Sequence, residues 1–231
     1  MNKITLSLLA ILISAQVSAE SILDIGDKIR KYRATYPDAT KQQLDDYARS
    51  LVGQSSSKKV AKTATTARVA TLSVIPDIPD YEDVAEVVGD LNPQEKALYD
   101  SDPAKSLLCL ANGKLALDYT KQKYTLEARH NGNGDAFRHA LWTFGMAVDV
   151  GLPFAIQWSN AHEYGATKQP ELERKMDLHN NQIGLSLAVQ NPYTMFHSSF
   201  INIAQAKVRA GDLLRIKNDK LVWTNSEGEL K

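Results

Sequence analysis

Residues 135–151, DAFRHALWTFGMAVDVG, form a mainly apolar segment that ends at a glycine and carries an acid, a cation and a base near its start. At about 100° per residue, Asp135 and His139 fall on one face of a helix, with Arg138 at the edge of that face. The large apolar side chains, beginning with Phe137, fall on the opposite side. This segment therefore predicts a helix with an apolar face toward the core and a polar face toward a site.

The same helical pattern continues on both sides of this segment. Asn92-Pro93-Gln94-Glu95 is typical of a helix start, because a capping residue is followed by proline at the first helical position. Further helices are predicted over residues 103–124, 153–164, 171–189 and 198–210. Residues 213–216 and 221–224 predict a terminal hairpin. The fold class is therefore mainly α, a compact helical domain with a short C-terminal β-hairpin.

The N-terminal part of the chain divides into three segments by composition. Residues 1–19, MNKITLSLLAILISAQVSA, have the short basic start, apolar stretch and small-residue end of a secretory signal peptide. Residues 20–53 predict a small N-terminal helical segment, and residues 54–72, rich in Ser, Thr, Ala and Lys, predict a flexible linker. The main helical domain then covers 73–231. We expect an exported protein, either periplasmic or secreted.

Composition excludes several classes of protein. The 231 residues contain 27 basic and 27 acidic side chains, so no bulk positive charge supports nucleic-acid binding. The single cysteine, Cys109, excludes an intramolecular disulfide and a cysteine-rich zinc site. No segment after the signal peptide is long and apolar enough to predict a transmembrane span. Cys109 lies among leucines, where a buried, inert thiol is expected.

Three short blocks on consecutive predicted helices carry the candidate chemistry. The first block contains Asp135, Arg138 and His139, the second contains His162 and Glu163, and the third contains Asp177, Asn180 and Asn181. Each block taken alone has a structural explanation, such as a helix cap or a histidine at a helix C-terminus. Three such blocks in one small domain favour convergence on a single pocket. His179 lies about 200° from Asp177 on a helix and is expected to point elsewhere.

The pattern DAFRHAxW…AHE…MDLHNNxxG, read over residues 92–190, resembles an uncharacterised family of bacterial exported domains. Members of that family also occur at the ends of secreted and polymorphic-toxin-like proteins. The resemblance implies domain limits and site positions rather than an activity. The order of His139, the His162-Glu163 pair and Asp177 is also similar in spacing to metal phosphohydrolases of the HD type, with Glu163 in place of an aspartate.

The first functional hypothesis is an exported metal-dependent hydrolase. His139, His162, Asp177 and Asp135 would hold a zinc, manganese or iron ion, because imidazole and carboxylate suit these metals. The other four residues of the three blocks would act on the substrate. In that assignment Glu163 is the general base, Arg138 binds an anionic group, and Asn180 and Asn181 orient the substrate. The expected substrate is a small or lipid-like phosphoester or ester.

Two alternatives remain open from the sequence. A metal-free enzyme could use His139 or His162 with a carboxylate as acid and base. A non-enzymatic envelope binding or scaffolding protein would instead use the His/Asp/Asn cluster as a buried network that holds three helices together. Metal content separates the first hypothesis from both alternatives.

Overall fold

The computed structural model describes residues 21–60, 84–192 and 197–231, and within these ranges the chain is mainly helical. In chain order the elements are α1 (Ile22–Thr35), α2 (Lys41–Val60), α3 (Val84–Gly89), α4 (Pro93–Ser101), α5 (Pro103–Lys123), α6 (Asn133–Val150), α7 (Leu152–Gly165), α8 (Glu171–Gln190), α9 (His197–Ala210), β1 (Leu214–Lys217) and β2 (Lys220–Trp223). The predicted fold class is confirmed. No helix in the described ranges combines the length and the apolar content that crossing a bilayer requires. The predicted signal peptide lies outside these ranges.

Helix starts follow the capping chemistry that the sequence predicts. The Asn92 side chain accepts hydrogen bonds from backbone N–H groups in the first turn of α4, and the Glu95 carboxylate accepts one from the Asn92 N–H at 2.9 Å. Asp102 caps α5 by accepting a bond from the first turn of that helix. Proline follows the cap at the first position of both helices. These local contacts set where α4 and α5 begin.

Helix α6 is the centre of the domain and packs against α5, α7, α8 and α9. Its apolar side is buried at Phe137, Leu141 and Phe144, as predicted, whereas Val148 near its end is 38% exposed. Its polar side is buried as well: Asp135, Arg138 and His139 are each only 1% exposed. The polar face of α6 is therefore an internal surface covered by neighbouring helices. Because a buried charge is costly unless it is paired or hydrogen-bonded, its charged groups need partners inside the protein.

The N-terminal helices belong to the same hydrophobic core as the rest of the described chain. Ile22, Ile25 and Ile29 on α1 are buried, and α1 packs against α5. The predicted N-terminal helical segment 20–53 therefore shares a core with the helices that follow it, because an apolar stripe on a short helix needs a covering surface. Helix α2 also extends to Val60, through the start of the predicted linker at 54–72. The remainder, 61–72, lies outside the described residues.

Truncation of Ile25 tests whether α1 contributes to the core. We expect Ile25→Ala to lower the free energy of unfolding by about 3 kcal/mol, because a fully buried isoleucine leaves a cavity when it is shortened. Urea unfolding followed by circular dichroism measures the change. Ile156→Ala is the matched control, since Ile156 is 39% exposed and its truncation should cost less than about 1 kcal/mol. Equal effects of the two substitutions would contradict this packing.

The C-terminal hairpin, β1 and β2, packs at the end of the described chain against α8, and β1 also contacts α6. Leu214 pairs with Trp223 and Lys217 with Lys220, so the connecting turn contains only Asn218 and Asp219. Both turn residues have left-handed backbone angles, with φ of 54° and 56°, which a two-residue type I′ turn requires. The hairpin packs against α8 and thereby holds the helix that supplies part of the site.

Candidate metal centre

Close contact between α6 and α8 brings the first and third sequence blocks together. Gly184 on α8 makes this contact possible, because a Cβ atom there would lie 2.1 Å from Thr143 Oγ1 and 2.3 Å from the Ala140 carbonyl oxygen. Thr143 Oγ1 also donates a hydrogen bond within the interior, to the carbonyl oxygen of either His139 (2.9 Å) or Asn181 (3.0 Å). The polar faces of the two helices are therefore held against each other.

Asp135 has a separate partner for each of its carboxylate oxygens. Asn131 precedes α6 in a left-handed conformation, with φ of 58°, and its backbone N–H donates to Asp135 Oδ2 at 2.6 Å. The Arg138 guanidinium donates to Asp135 Oδ1 inside the protein. Asp135 therefore does not cap the helix, since Gly132 is the N-cap of α6 without a side-chain bond; the Asp135 carboxylate instead holds the segment before α6 and pairs with Arg138. Its Oδ1 atom faces the site.

Asp135, His139 and Asp177 form a compact buried group. His139 Nε2 lies 3.3 Å from Asp177 Oδ1 and 3.6 Å from Asp135 Oδ1. One potential ligand atom from each residue lies within 4.8 Å of the other two, and all three residues are 1% exposed. The predicted convergence of these three residues from α6 and α8 is therefore what the structure shows.

The other ring nitrogen of His139 faces an amide and a carboxylate. Nδ1 lies 3.2 Å from Asn181 Oδ1 and 3.5 Å from Glu163 Oε1, while Asn181 Nδ2 donates to Glu163 Oε1 at 2.8 Å. Since the Asn181 amide group donates to Glu163, its oxygen accepts from the ring, so Nδ1 carries a proton. In a neutral imidazole, Nε2 then presents its lone pair toward Asp135 and Asp177. A lone pair facing two carboxylates requires a proton or a cation between them.

The charges in this region are unequal. Asp135, Glu163 and Asp177 are three buried carboxylates, and Arg138 and His139 are the basic side chains in the described contacts with them. Arg138 is bound to Asp135, and the Asp177 carboxylate faces the imidazole. A positive ion at the Nε2 side of His139 would compensate these carboxylates further, since buried charge is stable only when it is compensated.

Gln169 is a site residue that the sequence analysis missed. It lies between α7 and α8, and its Nε2 donates to Asp177 Oδ2 at 2.6 Å and to Glu163 Oε2 at 3.2 Å. The amide nitrogen thus occupies the position between these two carboxylates, at one edge of the group. A single glutamine in a connecting segment has no periodic pattern around it, so nothing in the sequence marks it out.

His162 is not part of the Asp135–His139–Asp177 group, which corrects the prediction that it is a ligand of the same ion. Its Nδ1 lies 2.8 Å from Glu95 Oε1 on α4. The Trp142 ring lies between the two histidines, with ring centroids 6.2 Å from His139 and 5.1 Å from His162. Glu163 and His162 are neighbours in sequence, about 100° apart on α7, so they face different surroundings.

Two of the predicted substrate-binding residues have structural partners instead. Asn180 donates to the Leu214 carbonyl oxygen and accepts from the Leu214 N–H, both at 2.9 Å, and so ties α8 to β1. The Arg138 guanidinium contacts Asp135 in the interior, with 2% of its side chain exposed. Asn180 therefore joins two elements and Arg138 contacts a buried carboxylate, while a role of either residue toward substrate stays a prediction.

Two further residues lie away from the group. His179 faces the hairpin, with its Nε2 3.3 Å from the Asp212 carbonyl oxygen and its ring edge-on to Trp223, as its position on the helix predicted. Cys109 is fully buried, which confirms the expected inert thiol, and burial raises the pKa of this thiol well above its ordinary value. A protonated thiol is a poor nucleophile.

The family described as Domain of unknown function (DUF6973) matches residues 96–212, just over half of the chain. The chain belongs to this family. The DUF6973 match begins in α4 and ends just before β1, so it includes Asp135, His139, Glu163 and Asp177. Comparison with curated proteins found no match, and comparison with solved structures found none.

Proposed function

We propose that this protein is a metal-dependent hydrolase whose divalent ion binds Asp135, His139 and Asp177. The observation that carries the proposal is the orientation of His139. Asn181 and Glu163 contact its Nδ1, and its Nε2 faces two carboxylate oxygens at 3.3 and 3.6 Å. Metal-binding histidines commonly donate their second ring N–H to an amide or a carboxylate in this way.

The distances agree with a shared ion. Two ligand atoms that each lie about 2.1 Å from one ion are about 3.0–3.4 Å apart at ligand–metal–ligand angles of 90–109°. The distance from His139 Nε2 to Asp177 Oδ1, 3.3 Å, is within this range. The distance from His139 Nε2 to Asp135 Oδ1, 3.6 Å, is slightly longer, and a small movement of a side chain would bring it into the range. One imidazole with two carboxylates suits zinc, manganese or iron, the metals expected from the sequence.

Glu163 is the proposed general base. Its Oε1 accepts from Asn181, whereas its Oε2 and Asp177 Oδ2 are bridged by the amide of Gln169. A water molecule in the position of that amide nitrogen would contact Glu163 and lie beside a ligand of the ion. If Asp135, His139 and Asp177 hold a divalent ion, the ion would make a coordinated water more acidic, and Glu163 would take the proton of that water. Gln169 would have to move aside before substrate enters.

The proposed reaction is hydrolysis of a phosphoester or ester in a small molecule of envelope or lipid origin. Metal-activated water attacks either bond, so the site chemistry suits both. Arg138 does not favour a phosphate over an ester, because its guanidinium is engaged with Asp135. The envelope origin rests on the proposed export of the chain, for which residues 1–19 are the support.

A non-enzymatic envelope protein is the second candidate, and one observation favours it. The hydrogen bonds of Asn181 and Gln169 join α6, α7 and α8 in a continuous buried network. Such a network can serve to fix the arrangement of three helices without any ion. In that case His139 is an imidazolium between two carboxylates, and the purified protein contains no metal.

Glu163→Gln tests the catalytic proposal. We expect the variant to keep its metal and to lose hydrolysis of p-nitrophenyl phosphate or p-nitrophenyl butyrate by about 10²- to 10⁴-fold, because a base is removed without removing a ligand. Glu171→Gln is the matched control, since this exposed carboxylate on α8 pairs only with Lys175 among the described contacts. Full activity in Glu163→Gln, or loss of its metal, would show that Glu163 has another role.

A further inference from the structure

A short connector, residues 166–170, joins α7 to α8 beside the Asp135–His139–Asp177 group. The three proposed ligands and Glu163 are each only 1% exposed, so the group is closed to solvent in this structure. Gln169 is partly exposed, and its neighbours Thr167 and Lys168 are exposed. The Gln169 side chain therefore extends from the surface of the protein to the buried carboxylates, which it contacts through Nε2.

The described backbone hydrogen bonds of this connector are local. The Thr167 N–H donates to the Gly165 carbonyl oxygen at 3.0 Å, and the Gln169 N–H donates to the Ala166 carbonyl oxygen at 3.1 Å. Arg174, in the first turns of α8, donates to the Gln169 carbonyl oxygen at 3.3 Å. Among the hydrogen bonds of the described residues, those of the Gln169 side chain are therefore the ones that join the connector to the interior.

The amide group of Gln169 is held through its nitrogen. Nε2 carries two hydrogens and donates to Asp177 Oδ2 and Glu163 Oε2, whereas Oε1 is buried and has no hydrogen-bond partner among the described residues. A buried acceptor without a partner costs free energy, which offsets part of the gain from the two bonds of the nitrogen. The closed position of the connector therefore depends on two hydrogen bonds.

A water molecule can make the same two bonds as this nitrogen. Water also carries two hydrogens, so it can donate one to each of the same carboxylate oxygens. The position lies between the proposed base, Glu163, and the proposed ligand Asp177, which is where the proposed reaction needs its attacking water. While Gln169 occupies this position, the attacking water is excluded from it.

We propose that Gln169 is the latch of a lid formed by residues 166–170, and that its amide keeps the site inactive by occupying the position of the attacking water. This inference rests on the proposed hydrolase function and adds to it a closed, self-inhibited state. Entry and release of the ion require the lid to open. The apparent affinity for substrate is reduced by the fraction of molecules that are open, since only these bind it.

Gln169→Ala in the full chain removes the latch, and Thr167→Ala is the matched control, since Thr167 is an exposed residue of the same connector. The first measurement requires no metal. Trypsin should cleave the bond after Lys168 about tenfold faster in Gln169→Ala than in wild type, because cleavage proceeds from the open state. Mass spectrometry of the fragments gives the rate, and Thr167→Ala should match wild type.

Two further measurements concern the site itself. Zinc-loaded Gln169→Ala should release its ion to excess EDTA about tenfold faster than wild type, and its KM for p-nitrophenyl phosphate should fall about tenfold while kcat is unchanged. Gln169→Met keeps the length of the side chain but cannot donate a hydrogen bond. It should therefore behave like Gln169→Ala in all three measurements.

Equal cleavage rates in Gln169→Ala and wild type would overturn the latch, and so would a Gln169→Met protein that behaves like wild type. A lower kcat in Gln169→Ala would also overturn it, because Gln169 would then assist the reaction. Purified protein that binds no zinc would instead remove the hydrolase proposal, and the cleavage rate would still decide whether Gln169 holds the connector closed.

Discussion

His139→Ala is expected to abolish binding of the divalent ion, weakening metal affinity by more than about a hundredfold. Loss of a residue that merely orients a ligand already costs 10- to 100-fold, and His139 is proposed as the ligand itself. Hydrolase activity should disappear with the ion. The experiment is metal analysis of the purified variant together with a titration against zinc and manganese.

His130→Ala is the matched control for this substitution. His130 precedes α6 by a few residues and pairs with Glu173, outside the Asp135–His139–Asp177 group, so its loss should leave metal content unchanged. If His139 belongs only to a structural network, His139→Ala will lower stability by about 1–3 kcal/mol through unpaired buried groups and alter no metal content. Normal metal binding in His139→Ala would remove His139 from the proposed site.

Gly184→Ala is expected to be the most destabilising single-methyl addition in the described helices, at about 3 kcal/mol. A Cβ atom there would meet Thr143 Oγ1 and the Ala140 carbonyl oxygen at distances that no packed atoms adopt, so α6 and α8 must move apart. The same movement separates Asp177 from His139. Chemical unfolding and metal analysis should therefore both be affected.

Gly53→Ala provides the matched control for a glycine on a helix. Nothing lies within 4 Å of a Cβ atom at Gly53, which is exposed on α2. Alanine there should raise the free energy of unfolding by about 0.5–1 kcal/mol, since it favours the helix without a clash. A Gly184→Ala protein as stable as wild type would mean that α6 and α8 are not packed as closely as described.

Local chemistry made much of the fold predictable. The caps at Asn92 and Asp102 and the prolines after them mark helix starts in the sequence itself, and the paired polar residues Asn218 and Asp219 mark a tight turn. The packing of α1 on α5 was not predictable in this way. Its isoleucines indicate a buried stripe but not the helix that covers it, and the polar composition after residue 53 favoured a separate segment.

The candidate site was predictable where helical spacing decides the direction of a side chain. Asp135 and His139 are four residues apart, and so are Asp177 and Asn181, which places each pair on one face. His162 was misassigned because its neighbour Glu163 faces the site, and adjacent helical residues cannot both do so. The internal partners of Arg138 and Asn180, namely Asp135 and Leu214, were not predicted, because sequence does not reveal which internal group engages a polar side chain.

Metal analysis of the purified wild type beside Asp177→Asn is the sharpest test of whether Asp135, His139 and Asp177 hold a divalent ion. We expect close to one zinc, manganese or iron ion per wild-type chain. We expect much less in Asp177→Asn, because asparagine has nearly the shape of aspartate but lacks its negative charge. Metal at about 100 times its dissociation constant should stabilise the wild type by about 2.7 kcal/mol. A wild type without metal, unaffected by added zinc, manganese or iron and destabilised by Asp177→Asn, would show that these three residues hold no ion and form a structural network instead.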